Sequence, residues 1–302
     1  YNNLDSKNEL DFHRFILYLD HEFSDDIRFY SELELEHSVA GEGKNGEIEL
    51  EQAYLEFDLA SGLRAKGGLF LVPVGFLNET HEPPVFYGVE RNPVERNIIP
   101  TTWWEGGAAL SGEFGTPGLS FDVALHSGLA IGPDFSIRGG RQKVSEANAN
   151  NLAMSGRIKY TGIPGLELAG SIVYQDNITQ ELVIGAGSGR LVSTQVAWNR
   201  GPLSLRALFA RWDLDGVLPE ALRKDVQDGY YVEGAWKFND KLGIFTRYNE
   251  WDNGGFGDTT ISQIDLGLNY WPHRNVVVKF DLQNQAKAGD NDGFNLGIGY
   301  SF

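Results

Sequence analysis

The sequence predicts an all-β chain closed into a transmembrane antiparallel barrel, and three observations predict it. Apolar and polar residues alternate with period 2 nearly throughout, in runs of about ten residues, the mark of strands with two unlike faces. The connections between these runs alternate between tight turns and long polar loops. Aromatic rings recur where the outward faces of such strands meet a membrane interface.

Taken in order, Tyr1 to Leu4 reads as the end of a first strand only partly present, turned back by residues 5–8. Fifteen further strands follow from Glu9, which gives sixteen, an even number as single-chain bacterial barrels require. The third strand alternates Glu32, Glu34 and Glu36 with Leu33 and Leu35, and the fourth alternates Glu56 and Asp58 with Leu55, Phe57 and Leu59. Further on, Leu119, Phe121, Val123 and Leu125 oppose Ser120, Asp122 and His126, while Leu166, Leu168 and Ile172 oppose Glu167 and Ser171. Leu203, Leu205, Ala207 and Phe209 face away from Ser204 and Arg206, and Val276, Val278, Phe280 and Leu282 away from Lys279, Asp281 and Gln283. The final strand sets Phe294, Leu296, Ile298, Tyr300 and Phe302 against Asn295, Gly297, Gly299 and Ser301.

Tight turns at 60–62, 116–118, 161–165, 200–202, 239–241 and 272–275 carry the Gly, Pro, Asn or Asp that turn geometry demands. Between them lie long loops at 37–46, 72–103, 128–150, 176–189, 213–228, 252–259 and 286–292. Short periplasmic turns with long extracellular loops are the plan of a bacterial outer-membrane barrel. Tyr160, Trp198, Phe238, Tyr270, Tyr300 and Phe302 end outward faces at the short-turn side and form one belt. A soluble sandwich or propeller would also alternate, but nothing in either makes short and long connections take turns. The chain reads as a single domain, 1–302.

Composition removes other classes. No window holds the roughly 18 to 20 apolar residues of a membrane helix, and mean hydropathy is -0.29. With no cysteine, disulfides, Cys-based zinc sites, iron-sulfur clusters and thiol nucleophiles are excluded. A net charge of -17 argues against a nucleic-acid partner. A start at Tyr1 is compatible with a removed signal peptide.

The stretch HEPPVFYGVERNPVERNIIPTTWWEGG at 81–107 resembles bacterial porins of the phosphate-selective porin O/P group. So do FHRF from Phe12, RFYSELELEH at 28–37, NYWPH at 269–273 and the GFNLGIGYSF ending. The resemblance implies a channel in a Gram-negative outer membrane, set in lipid, serving small hydrophilic solutes or ions and able to form a homotrimer. Phosphate-selective members carry a Lys and Arg ladder in the pore, and this acidic chain departs from that pattern.

With the apolar parity outward, the opposite parity gives the pore lining, where a channel's selectivity resides. Its acids are Glu32, Glu34, Glu36, Glu56 and Asp58; its bases are Arg64, Lys66, Arg157, Lys159, Arg206, Lys237, Arg247 and Lys279. In a closed barrel the acidic strands lie across the lumen from Arg206, Lys237 and Arg247, a transverse field; alternatively these charges pair and only keep the wall wet. A one-residue slip reverses every facing, and parity conflicts near 9–20 and 46–52 leave Asp11, His13, Glu49 and Glu51 unassigned. Loop 72–103 is expected to fold inward as the constriction, with Glu79, His81, Glu82, Glu90, Arg91, Glu95 and Arg96 on a backbone stiffened by Pro73, Pro83, Pro84, Pro93 and Pro100. Glu90 with Arg91 and Glu95 with Arg96 read equally as loop-internal pairs or as solute contacts.

The expected function is passive diffusion, weakly selective or mildly cation-preferring. The alternatives are a selective anion porin and a plugged barrel acting as scaffold or partner-binding protein. No enzyme is expected: His126 and Ser127 are adjacent and point to opposite faces, and neither G-x-S-x-G nor H-E-x-x-H occurs. No cofactor or metal is expected either. Asp290 and Asp292 in GDNDG resemble a calcium turn in spacing but lack its distal Glu, and Glu79, His81 and Glu82 form a second group with metal-ligand chemistry.

Overall fold

The computed structural model describes residues 1–5, 7–38, 43, 46–287 and 291–301, so Asp290 and Phe302 of the sequence reading lie outside the described residues. Seventeen strand segments account for most of it. The first nine are β1 (Asn2–Leu4), β2 (Lys7–Glu9), β3 (Arg14–Ser24), β4 (Ile27–Glu36), β5 (Ile48–Ala60), β6 (Leu63–Leu71), β7 (Trp104–Glu113), β8 (Leu119–His126) and β9 (Ala153–Tyr160). Then come β10 (Leu166–Gln175), β11 (Gly189–Arg200), β12 (Leu203–Leu214), β13 (Val226–Asn239), β14 (Leu242–Asp252), β15 (Ile261–His273), β16 (Val276–Ala286) and β17 (Gly293–Tyr300). Two short helices, α1 (Pro93–Asn97) and α2 (Val217–Ala221), sit in loops.

Every strand from β3 to β17 pairs antiparallel with its neighbours in sequence, β17 pairs with β1, and β1 pairs with β2. The two edges of this sheet are thus β2 and β3, which run in the same direction with only residues 10–13 between them. Successive pieces of one strand bring the edges together, and the sheet closes into a barrel. Joined in this way, β2 and β3 make the sixteen strands expected. The first strand is short: β1 meets β17 from Asn2 opposite Asn295 to Leu4 opposite Gly293.

The wall is apolar outside and polar inside, the reverse of a soluble protein and the order a bilayer imposes. On β9 and β15, Met154, Ile158, Ile264 and Leu266 are more than half exposed, whereas Ser155, Arg157, Gln263 and Asp265 between them are buried. Phe238, Tyr270 and Tyr300 stand exposed near the short turns, where the aromatic belt was expected.

The parity conflict at 46–52 has a physical cause. Between β4 and β5, Glu32 pairs with Gln52 but Leu33 pairs with Leu50, so Glu51 is a bulge residue. Glu51 and Gln52 consequently both turn inward, Glu51 buried and Gln52 bonded to Glu32. On β3 the inward set is Arg14, Ile16, Tyr18, Asp20 and Glu22, paired across from Glu36, Glu34, Glu32, Tyr30 and Arg28.

The hydrophobic core lies within the lumen. Val74, Val94, Ile98 and Trp103 of loop 72–103 and Leu129, Ile131, Phe135 and Ile137 of the following long loop pack on Leu191, Leu208, Trp212 and Tyr231 of β11 to β13. Trp212 donates its indole N–H to the Ile98 carbonyl at 2.9 Å, which satisfies a polar atom that apolar burial alone would strand.

Candidate functional site: the lumen and loop 72–103

The loop between β6 and β7 is closed at its base by backbone and side-chain bonds. Val72 N–H donates to the Trp103 carbonyl at 3.0 Å. Asn78, fully buried, donates to the carbonyls of Val72 (2.7 Å) and Trp103 (2.8 Å) and accepts from Trp103 N–H at 2.7 Å. Further along, Asn92 caps α1 by accepting from Glu95 N–H at 2.8 Å, with Pro93 at the first helical position where its missing N–H costs nothing. The Glu95 carboxylate turns inward, accepting from Leu77 N–H at 2.7 Å and from the Tyr231 hydroxyl at 2.9 Å. Burial pushes its carboxyl above the ordinary range, against the pull of these donors.

Wall residues hold the loop on several sides. Ser171 on β10 donates to the Pro73 carbonyl at 3.1 Å. Arg157 on β9 grips Glu79 and bonds Asp122 on β8 at 2.8 and 2.9 Å. Arg206 on β12 reaches the Val85 carbonyl at 3.4 Å. Lys279 on β16 donates to the carbonyls of Phe86 (2.8 Å) and Gly88 (2.7 Å), and Asp281 accepts from Val89 N–H at 2.6 Å. The glycines of the final strand make room for this contact. A Cβ at Gly297 would come within 2.9 Å of Val89, and one at Gly299 would collide with Pro83. One loop touching the inner faces of β9, β10, β12, β16 and β17 requires the sheet to wrap around it.

On the opposite side the loop meets β3 to β5. The His81 imidazole lies 3.3 Å from Glu32 and 3.2 Å from Glu51. Burial pushes this imidazole down, but the two carboxylates outweigh it and hold it up at about 9. Tyr18 donates to Glu82 at 2.6 Å. Arg91 donates to Thr102 at 2.7 Å, its guanidinium lowered to about 10 by burial.

These placements revise several sequence readings. Glu32, Glu34, Arg247 and Lys279 point inward, yet the loop covers them and each is at most 4% exposed, so they meet protein rather than lumen water. Arg247 is engaged by Glu233 (3.2 Å) and Asp265 (3.0 Å), not by acids across an open lumen. Among the described residues neither Glu90 with Arg91 nor Glu95 with Arg96 forms an ion pair; Glu95 turns to Tyr231, and Arg96 is exposed. His81 does not gather with Glu79 and Glu82, because those two bond Arg157 and Tyr18. Asp292 is spent on a turn, accepting from Asn284 (3.0 Å) and from Gln285 N–H (2.7 Å).

The remaining candidates keep contact with solvent. Glu56, Asp58, Lys66, Lys159 and Arg206 are half-buried; Arg64 and Lys237 are exposed; Glu36 is half-buried beside Glu47 and Glu49, whose carboxylates Lys143 holds. Arg28 on β4 bonds Asp58 at 2.5 Å and Glu56 at 3.4 Å. Lys66 lies 4.9 Å above the Phe70 ring and Lys237 4.4 Å above that of Trp271. The lumen is therefore two-sided. Along β14 to β16 the loop buries Arg247, Asp265, Lys279 and Asp281, while along β4 to β9 the inward charges nearer the short turns, such as Arg28, Glu56, Asp58, Arg64 and Lys66, stay solvated.

A porin-like wall holding a long inward loop can be set beside known proteins. The outer membrane channel DcaP of Acinetobacter baumannii superposes with a TM-score of 0.67 at 14% identity, over 97% of this chain and 85% of that one. The OmpF structure of Salmonella typhi in complex with daunomycin gives 0.68 at 13% identity, over 96% and 89%. The fold is that of an outer-membrane porin. With its exposed apolar wall and aromatic belt, the chain is an integral barrel of the outer membrane. In sequence it is 28% identical to an uncharacterized protein of Aquifex aeolicus over 343 residues, covering 99% of this chain and 76% of that protein. No family model matches.

Sequence reasoning missed Tyr18, Asn78, Asp122, Glu233 and Asp265 as partners of the loop and its wall. For Asp122 the signal was present, since it stands on the polar face of its strand and pairs in register with Arg157. Asn78 gave none, because nothing local marks one Asn as the tie between two distant carbonyls.

Proposed function

We propose that the chain is a passive diffusion channel for small hydrophilic solutes or ions, narrowed by loop 72–103 and only weakly selective. The two-sided lumen carries this reading: water-accessible charges of both signs, with Arg28, Arg64 and Lys66 beside Glu56, Asp58 and Glu79, line what the loop leaves open. Opposed charges at short range cancel much of each other's field, so neither ion sign is strongly excluded. A phosphate-type ladder needs bases free to meet an anion, and Arg157, Arg247 and Lys279 are each already engaged. Glu79 and Glu82 on the loop tilt the balance mildly toward cations.

Liposome swelling with sugars of graded size tests the reading. Influx that falls steeply with solute size supports a narrowed open pore, and no influx from folded protein would favour a sealed scaffold. We infer that the barrel associates as a homotrimer, as an outer-membrane porin fold allows. Chemical cross-linking in detergent that yields only monomer would remove the trimer.

A further inference from the structure

The first half of the loop returns to the wall at β4 and β5 through His81, and the contact there is not an ordinary hydrogen bond. His81, Glu32 and Glu51 are 1%, 1% and 2% exposed. The imidazole Nε2 stands 3.3 Å from Glu32 Oε1 and 3.2 Å from Glu51 Oε2. It forms a hydrogen bond with neither, and Nδ1 also has no hydrogen-bond partner. A charge-assisted N–H to carboxylate bond closes to about 2.7–2.9 Å, and one N–H shared between two carboxylates makes only a longer, bent contact to each.

The spacing fits another occupant of the same charge sign. Ligands arranged tetrahedrally at about 2.0–2.1 Å from a zinc-class ion stand about 3.3–3.4 Å from one another. The nitrogen-to-oxygen separations match that edge, and the three ligand atoms all lie within 4.8 Å of one another. We propose that Glu32 Oε1, Glu51 Oε2 and His81 Nε2 bind a divalent transition cation of the zinc class, with a fourth position left for water. One imidazole and two carboxylates are a donor set this class accepts.

The fold explains why the set exists. The bulge in β5 turns Glu51 and Gln52 inward together; Glu51 becomes a ligand, while Gln52 donates to Glu32 Oε2 at 2.7 Å and so orients the other oxygen of that carboxylate toward His81. Glu34, the next inward acid, is paired with Arg14 at 3.5 Å and stays outside the set. A bound ion would staple residue 81 of the loop to β4 and β5, opposite the grip of Arg157 on Glu79.

The test uses the whole chain and reads binding rather than current, so it stands apart from the channel proposal. Zinc is supplied during refolding from urea into detergent and, separately, to the folded barrel; after desalting, bound metal is counted by mass spectrometry. Cobalt(II), loaded the same way, reports tetrahedral geometry through its intense visible bands. The expected result is one equivalent in the native chain and affinity about 100-fold or more weaker in H81Q and E51Q, both checked for folding by heat-modifiable gel migration. No bound metal by either route, or undiminished binding in H81Q, would overturn the site.

Discussion

Arg157→Gln probes the electrostatics of the narrowed lumen. Arg157 is 7% exposed and is ion-paired with Glu79 on the loop (32% exposed) and Asp122 on the wall (23% exposed), offsetting one of the two negative charges that face water. Removing the guanidinium adds one net negative charge to this part of the lumen. A unit charge about 5 Å from a passing ion is worth about 0.8 kcal/mol in water, and about 0.5 kcal/mol after screening at 0.1 M salt. Relative to an RT of about 0.59 kcal/mol, that enriches cations and depletes anions by about twofold each, so the cation-to-anion permeability ratio rises about fivefold. The assay is the reversal potential of single channels under a KCl gradient. R157K keeps the charge and serves as the control for geometry. A reversal potential unchanged in R157Q would refute the reasoning, because it would put the ion path away from Glu79 and Asp122.

Three further outcomes are expected. Asn78→Ala removes three hydrogen bonds of 2.7–2.8 Å at the base of the loop; at about 1 kcal/mol each, about 3 kcal/mol of closure is lost, read as faster proteolysis within 72–103, and native resistance would contradict it. Gly297→Val drives a side chain into Val89 and lifts the segment around Gly88 from β16, giving noisier open-channel current; a quiet, unaltered channel would show that the segment does not border the path. His37 titrates above its ordinary value because Asp11 bonds its ring at 2.9 Å. This contact is fully formed below the unfolded imidazole value of about 6.5 and is lost as pH rises through the raised folded value. Proton NMR of the imidazole should show the pKa falling in D11N, and no change would contradict the pairing.

The wall was legible in the sequence and the packing inside it was not. Period-2 alternation needs only local residues, so Ile172 and Phe280 announced the lipid face, and the turn chemistry at 161–165 and 239–241 announced the hairpins. Register failed where a bulge inserts one residue, at Glu51, since parity carries no record of an insertion until the partner strand is known. Arg247 and Lys279 turn to the inner side of the wall but are buried there. Lys279 is held by the carbonyls of Phe86 and Gly88, about 190 positions away in sequence, which no local pattern encodes, whereas Arg247 is held mainly by its in-register neighbours Glu233 and Asp265 on the adjacent strands. The grouping of Glu79, His81 and Glu82 failed for the same reason: neighbours along an irregular loop reach different walls.

Absence of cysteine gives a clean background for labelling the loop. Glu79→Cys in a planar bilayer, treated with a bulky thiol-reactive reagent during recording, asks directly whether ions pass between loop 72–103 and the wall of β5 to β9. The account predicts discrete conductance steps that drop on labelling while the native chain is unaffected. Folded protein that conducts nothing, or a fully labelled channel whose current does not change, would contradict it.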